Sequence, residues 1–252
     1  MNKKVKVYIG WFLRGMGMGA ADVVPGVSGG TIAFITGIYE KLINSIKSIN
    51  IKALQKLFSE GFASFWSYIN GYFLLILFAG IATSVISLAK IIEKLLINQP
   101  ILVWSFFFGL VVASAIFIAK KIDKWKIGNI ISGIAGIAIA YFITIVTPAE
   151  TTDAYWFVFL SGALAICAMI LPGISGSFIL LLLGKYQFVL NAVNEVKVNI
   201  LLLLAFGAAI GLLSFSNLLS WLLKKYHNLT IALLAGFMVG SLNKIWPWKT
   251  NV

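Results

Sequence analysis

One segment of the chain occurs twice: Pro25-Gly26-Val27-Ser28-Gly29-Gly30 recurs 147 positions later as Pro172-Gly173-Ile174-Ser175-Gly176-Ser177. Each copy lies inside a long apolar stretch. Proline lacks a backbone N–H and glycine permits a sharp reversal, so each copy should interrupt a helix. Backbone that is not helical is tolerated at membrane depth only where protein buries it or water lines it. We therefore predict two helical hairpins, broken at Pro25-Gly26 and at Pro172-Gly173.

The duplication extends beyond these two segments. The offset of 147 also pairs Gly15 with Gly162 and Tyr39 with Tyr186, and an offset of 127 pairs Gly80 with Gly207 further along. Residues 51–70 could fill the difference of about 20 positions between the two offsets. Matching polar, glycine and proline positions indicate an internal repeat. We predict a single transmembrane domain over 1–252, with repeat 1 at 11–119, a linker with one unpaired crossing at 120–155, and repeat 2 at 156–246.

The composition excludes a water-soluble protein. Of 252 residues, 60% are hydrophobic and only 11% are charged, and the mean hydropathy is +0.98. Such a chain has too little polar surface to cover a soluble core. A helix needs about 20 apolar residues to cross a bilayer. The fold class is therefore an all-α polytopic membrane protein, with full crossings expected at 71–92, 100–119, 128–147, 199–223 and 228–245.

The net charge of +12 is interpreted as topology information, because the lysines lie between membrane segments and no basic domain suited to nucleic acid is present. An N-terminus in the cytoplasm places thirteen of the twenty basic residues on the cytoplasmic face, provided that both hairpins re-enter. Three full crossings then separate the hairpins, so the second enters from the opposite face. This arrangement is an inverted-topology repeat, which is typical of alternating access. A rival model lets every segment span fully, and cysteine accessibility at positions 52 and 197 would separate the two.

Backbone N–H groups at the start of a half-helix favour anions. The sequence therefore predicts a phosphate-binding site shared by the two breaks, with donors at Ser28, Gly29, Gly30, Thr31, Ser175, Gly176 and Ser177. The alternative is that glycine and serine serve only close packing of helices, as they commonly do in membranes.

Charged residues inside apolar runs call for a role, because burying them is expensive. Arg14 is the expected partner of the phosphate, since its guanidinium binds phosphate through two hydrogen bonds. The alternative is an interfacial anchor. Asp22 and Glu40 are predicted to serve coupling to a proton or cation, or gating, and Asp22 could instead cap the turn. Lys41 and Lys185 are interpreted as interfacial anchors.

No catalytic residue, metal site or cofactor is predicted. His227 and Cys167 are each the only residue of their type, and neither can form a metal cluster or a catalytic set alone. The chain is expected not to be an enzyme.

Residues 14–31, from Arg14-Gly15-Met16-Gly17 to Ser28-Gly29-Gly30-Thr31, resemble the N-terminal signature of the DUF368 family of bacterial and archaeal membrane proteins. Residues 37–42 continue that signature, and residues 169–177 resemble its internal echo. Members of this family are associated with polyprenyl-phosphate transport. The resemblance implies that the chain returns undecaprenyl phosphate, the lipid carrier of cell-wall precursors, from the outer to the inner leaflet of the cytoplasmic membrane. Its partners would be this lipid and the surrounding phospholipid bilayer.

Three other functions stay open at this point. A carrier or channel for a small soluble anion could use the same breaks, and competition by polyprenyl phosphates but not inorganic phosphate would argue against it. An intramembrane lipid phosphatase would release phosphate from a labelled lipid. A scaffold packed through glycine and serine would leave Arg14 and Asp22 without a role. The sequence predicts no oligomeric state.

Overall fold

The computed structural model describes residues 3–24 and 26–248, and every regular element in this part of the chain is helical. The α-helices are α1 Lys3–Val23, α2 Gly29–Ile35, α3 Tyr39–Lys47, α4 Ile51–Glu60, α5 Phe62–Tyr68, α6 Gly71–Asn98, α7 Pro100–Ala119, α8 Ile127–Ile145, α9 Tyr155–Ile170, α10 Gly176–Leu182, α11 Tyr186–Asn194, α12 Val198–Lys225 and α13 His227–Gly240. A short 3-10 helix, Ser241–Ile245, follows α13.

Five helical segments are long and apolar enough to cross a membrane: α6, α7, α8, α12, and α13 together with the 3-10 helix. They coincide with the five crossings that the hydropathy of the sequence predicts. Proline in the first turn starts α7, where its missing N–H costs nothing. The single residues Gln99 and Tyr226 link α6 to α7 and α12 to α13, so consecutive crossings reverse direction.

Both predicted hairpins are present. In the first, α2 runs back along α1, so that Gly29 lies beside Asp22 and Gly17 lies beside Ile32. In the second, α10 runs back along α9, where Gly176 faces the Ala165 carbonyl. The chain then bends by 109° between α10 and α11.

The helix boundaries repeat at the two offsets found in the sequence. Shifting α2 and α3 by 147 positions gives the limits of α10 and α11, and shifting α6 by 127 gives those of α12. Helices α4 and α5 occupy residues 51–70, which have no counterpart in the second half. Asn50 caps α4 by accepting hydrogen bonds from the N–H groups of Lys52 and Ala53. Helix α8 lies between the repeats and packs against α13.

The same two-helix contact is built twice from glycine. A Cβ on Gly15 of α1 would overlap the Leu77 carbonyl oxygen of α6, and a Cβ on Gly162 of α9 would overlap the Leu204 carbonyl oxygen of α12. The backbones therefore touch directly at both places, as small residues allow in membranes. The contacts advance together along both helices, so α1 runs parallel to α6, and α9 runs parallel to α12.

Lys185 is not the interfacial anchor that the sequence suggested. Its side chain is buried at the turn between α10 and α11, where Nζ donates to Asp153 Oδ1 at 2.5 Å and to the Thr151 carbonyl at 3.0 Å. The rings of Phe157 and Phe188 flank the ammonium. The loop between α8 and α9 supplies the oxygen partners, and local sequence around Lys185 gives no sign of them.

Candidate site at the crossing of the two hairpins

The two breaks meet inside the bundle. Ser28 Oγ donates to the Met169 carbonyl at 3.1 Å, and the Gly173 N–H donates to Thr31 Oγ1 at 3.2 Å. Tyr39 extends the contact, because its hydroxyl donates to the Ile170 carbonyl at 3.2 Å. Segments about 140 residues apart in the chain are thus joined by direct hydrogen bonds.

The two breaks share one backbone conformation. Gly26 has a φ of +84° and Gly173 a φ of +89°, a region that other residues rarely adopt. Pro172 follows the end of α9 and is buried. Pro25, predicted as the first break, lies outside the described residues. The repeated Pro-Gly motif therefore corresponds to a repeated reversal at Gly26 and Gly173.

The predicted anion donors of the first break are hydrogen-bonded within the protein. The Gly29 N–H donates to Asp22 Oδ1 at 2.6 Å, and the Gly30 N–H donates to Ser28 Oγ at 3.0 Å. The Thr31 N–H donates to the Ser28 carbonyl at 2.9 Å. Ser28 and Thr31 are fully buried. A carboxylate therefore lies where the sequence suggested a phosphate, and Asp22 has the position of a capping residue for α2.

The second break is built differently. Ser175 makes no side-chain cap to α10, and its Oγ lies 2.7 Å from Ser177 Oγ. Ser177 is exposed, whereas its counterpart Gly30 is buried. The residue that corresponds to Asp22 is Met169, so no carboxylate reaches this break from the equivalent position. Of the two hydroxyl-bearing residues at this break, Ser177 is exposed and Ser175 is buried.

The other predicted charged residues lie apart from the breaks. Arg14 is half-buried on α1, eight residues or about 12 Å before Asp22. Among the described residues no acidic group lies within 4 Å of Arg14. Glu40 of α3 is exposed, and its Oε1 lies 3.8 Å from Nδ1 of His227 at the start of α13. Lys41 lies over the rings of Trp11 and Phe73.

Two cavities lie beside the contact between the two hairpin breaks. The smaller, about 120 Å³, includes Met18, Asp22, Gly30 and Tyr39 in its lining. The larger, about 240 Å³, is lined by Gly26, Ser177, Phe178, Leu181, Tyr186 and Lys244. Gly30 and Tyr39 correspond to Ser177 and Tyr186 at the offset of 147, so the two cavities occupy related positions in the two halves.

Lys244 is the site residue that the sequence analysis missed. Its position within the predicted crossing 228–245, where a charge is unusual, is the signal that could have identified it. Its side chain passes over Gly26, and its ammonium lies 4.4 Å from the centroid of the Phe178 ring. No group of three or more His, Cys, Asp or Glu side chains is arranged for a metal ion in the residues that the structure covers.

The chain is similar to proteins that are named as transporters. Residues 18–252 match the model of the VCA0040-like family, described as undecaprenyl phosphate translocase-like. The chain is 52% identical over its full length to a polyprenyl-phosphate transporter of Vibrio cholerae serotype O1, covering 82% of that protein. It is 36% identical to a polyprenyl-phosphate transporter of Staphylococcus aureus, with 95% of this chain and 87% of the relative aligned. No solved structure matches the chain. These relatives are named as transporters and not as enzymes, and the chain belongs to the undecaprenyl phosphate translocase-like family.

Proposed function

We propose that this membrane protein transports polyprenyl phosphate, and that it returns undecaprenyl phosphate from the outer to the inner leaflet of the cytoplasmic membrane by alternating access. The substrate is carried over from the names of the family and the relatives. The observation that supports the mechanism is that two related hairpins meet at their breaks and differ in how they pack against the rest of the protein. A headgroup passing between leaflets must meet a polar site that is open to one side at a time.

The two halves differ at equivalent positions of their second hairpin helices. Ile46 of α3 is 5% exposed, and its counterpart Val193 of α11 is 52% exposed. Tyr39 is likewise buried and Tyr186 exposed. The first half is therefore packed against its neighbours at positions where the second half is open.

Helix α12 supplies the packing partner of α3. Ser220 Oγ of α12 donates to Asn44 Oδ1 at 2.9 Å, and Lys47 Nζ donates to Ser220 Oγ at 3.3 Å. Helix α11 has no comparable packing against α6, which is the counterpart of α12. Exchanging the conformations of the two halves would close α11 onto α6 and release α3 from α12. Two such end states are what alternating access requires.

The inverted arrangement of the halves is part of the proposal. Three crossing helices, α6, α7 and α8, separate the first hairpin from the second. An odd number of crossings brings the second hairpin in from the opposite face. With the N-terminus in the cytoplasm, the lysine-rich loop 120–126 faces the cytoplasm and the open α11 side faces outward.

Asp22 and Glu40 remain the candidates for coupling to protons. Asp22 is the stronger candidate, because its carboxylate holds the first break closed through Gly29 and also lines the smaller cavity. Protonation would weaken that hydrogen bond and favour release of α2. Transport that is unchanged between pH 6 and pH 8 would count against coupling at either residue.

Flipping of undecaprenyl phosphate in proteoliposomes tests the proposal. A phosphatase added outside the vesicles removes phosphate only from lipid in the outer leaflet, so the protected fraction reports translocation. Vesicles containing the native protein should expose their inner pool, and vesicles without protein should keep it. Equal protection in both samples would exclude the proposed function.

The runner-up function is a carrier for a small soluble anion, which needs no lateral opening. The names of the family and of the relatives favour the lipid. Uptake of labelled inorganic phosphate into the same vesicles, with no flipping of the lipid, would favour the soluble anion.

A further inference from the structure

The cavity of about 240 Å³ beside the crossing joins both halves to the C-terminal 3-10 helix. Gly26 comes from the first break, Ser177 and Phe178 from α10, Tyr186 from α11, and Lys244 from the 3-10 helix. Its volume corresponds to about eight water molecules in the liquid. A phosphate group with a few waters fits this space, and a polyprenyl chain does not.

The chemistry of the lining suits an anion with several acceptor oxygens. Lys244 contributes an ammonium, while Ser177 and Tyr186 contribute hydroxyl groups that can donate. Among the described residues that line this cavity, none carries a carboxylate. Low polarity around a cation strengthens its attraction for an anion, and the cation is held against the Phe178 ring.

The side chain of Lys244 packs against Gly26. A Cβ on Gly26 would lie 3.1 Å from Lys244 Cγ, so the lysine stem rests directly on the first break. The ammonium at the end of that stem reaches Phe178 of the second hairpin. Lys244 therefore spans both halves at the crossing.

The related cavity in the other half has the opposite charge. Asp22 is in its lining, and Gly30 takes the place of Ser177, so one hydroxyl is absent as well. A phosphate would be repelled by the Asp22 carboxylate there. Of the two cavities, the one with Lys244 is the one that attracts anions.

We propose that Lys244, Ser177 and Tyr186 form the phosphate-headgroup site of the open half, in place of Arg14 and the amide groups of α2. This proposal rests on the proposed function, because it names the residues that hold the headgroup of the transported lipid. The prenyl chain stays in the bilayer while the phosphate enters the cavity. Closure of α11 onto α6 then encloses the headgroup, because Tyr186 begins α11.

Binding of farnesyl phosphate to the detergent-purified protein tests the site. Farnesol provides the same chain without phosphate, and inorganic phosphate provides the anion without a chain. The native protein should bind farnesyl phosphate at least tenfold more tightly than either. Lys244→Gln should raise the Kd for farnesyl phosphate at least tenfold, Ser177→Ala should raise it about threefold, and Lys244→Arg should stay within about threefold of native.

Lys197→Gln is the matched control, because Lys197 is half-exposed, pairs with Glu195 and lies on the loop that follows α11. This variant should bind like the native protein. Thermal unfolding midpoints of all variants show whether a loss of binding reflects misfolding, and Ser177→Ala tests the site with a minimal change should Lys244→Gln be unstable.

The outcomes separate this proposal from the proposed function. A native protein that neither binds nor flips polyprenyl phosphates would refute the function itself. Native binding with an unchanged Kd in Lys244→Gln and Ser177→Ala would refute only the assignment of these residues. Equal affinity for inorganic phosphate and farnesyl phosphate, lost together in Lys244→Gln, would overturn the lipid headgroup in favour of a free anion.

Discussion

Tyr39 and Tyr186 occupy equivalent positions in the two halves, yet Tyr39 is 3% exposed and Tyr186 is 39% exposed. The hydroxyl of Tyr39 donates to the Ile170 carbonyl at the second break. By the offset of 147, the corresponding acceptor for Tyr186 is the Val23 carbonyl at the end of α1. One of two matching hydrogen bonds is therefore formed, and this difference distinguishes the packed half from the open half.

Replacing each tyrosine by phenylalanine should have unequal effects on stability. Tyr39→Phe removes a buried hydrogen bond and leaves the Ile170 carbonyl without this donor, at a cost of about 1 kcal/mol. Tyr186→Phe removes an exposed hydroxyl and should change the free energy of unfolding by less than about 0.5 kcal/mol. Unfolding midpoints in detergent measure both effects. Equal destabilisation by the two variants would contradict the asymmetry of the halves.

Cysteine pairs should trap the two end states separately. In a Cys167→Ala background, Asn44→Cys with Ser220→Cys should cross-link while α3 is packed against α12, because the native side chains at these positions are hydrogen-bonded. The equivalent pair, Asn191→Cys with Glu93→Cys, should cross-link only after α11 closes onto α6.

Each cross-link should stop lipid flipping, and a reductant should restore it. The pair Asn191→Cys with Lys56→Cys is a suitable control, because the proposed topology places these two residues on opposite faces of the membrane. Continued transport while the Asn191 and Glu93 pair never cross-links would refute exchange between the halves.

Adding a methyl group at the repeated glycine contact should destabilise both halves. Gly15→Ala and Gly162→Ala would force a Cβ into the carbonyl oxygens of Leu77 and Leu204. Overpacking of this kind typically costs about 1–3 kcal/mol. Gly109→Ala is the control, because a Cβ there meets no atom within 4 Å. The midpoint of thermal unfolding should fall for Gly15→Ala and Gly162→Ala only. A fall of similar size for Gly109→Ala would show that the overlap with the carbonyl oxygens is not the cause.

Removing Asp153 should destabilise the protein more than removing Lys185. Asp153→Asn leaves a buried ammonium without its carboxylate, whereas Lys185→Met leaves a carboxylate that water reaches, since the Asp153 side chain is 63% exposed. We expect a loss of about 1–3 kcal/mol for Asp153→Asn. The exposed pair of Lys197 and Glu195 provides the comparison, and Glu195→Gln should cost less than about 1 kcal/mol. The reverse order for Asp153→Asn and Lys185→Met, measured by chemical unfolding, would contradict this account.

Substitutions at Asp22 should separate its capping role from a coupling role. Asp22→Asn keeps an oxygen that accepts from the Gly29 N–H, and Asp22→Ala removes it. Loss of such a cap costs about 0.5–2 kcal/mol, so the unfolding midpoint should fall further for Asp22→Ala. If protonation of Asp22 drives transport, the transport rate of the Asp22→Asn variant should no longer vary with pH. A native pH profile in Asp22→Asn would leave Asp22 with the capping role alone.

The sequence by itself determined the class of fold, the five crossings and the existence of two related hairpins. Hydropathy and the Pro-Gly breaks are local properties of the chain, and a repeat is visible by comparing the chain with itself. Only the tertiary structure showed that Lys185 is buried against Asp153 and that Lys244 lies on Gly26. For Asp22, the sequence left a cap open as one of several roles, and the structure places its carboxylate on the Gly29 N–H. The contacts of Lys185 and Lys244 join residues that are distant in the chain, so local sequence does not reveal them. The two hairpins share the Pro-Gly-x-Ser-Gly motif but differ at many other positions, such as Asp22 and Met169. That α3 packs against α12 while α11 stays open is visible only in the tertiary structure, because it depends on contacts between distant segments.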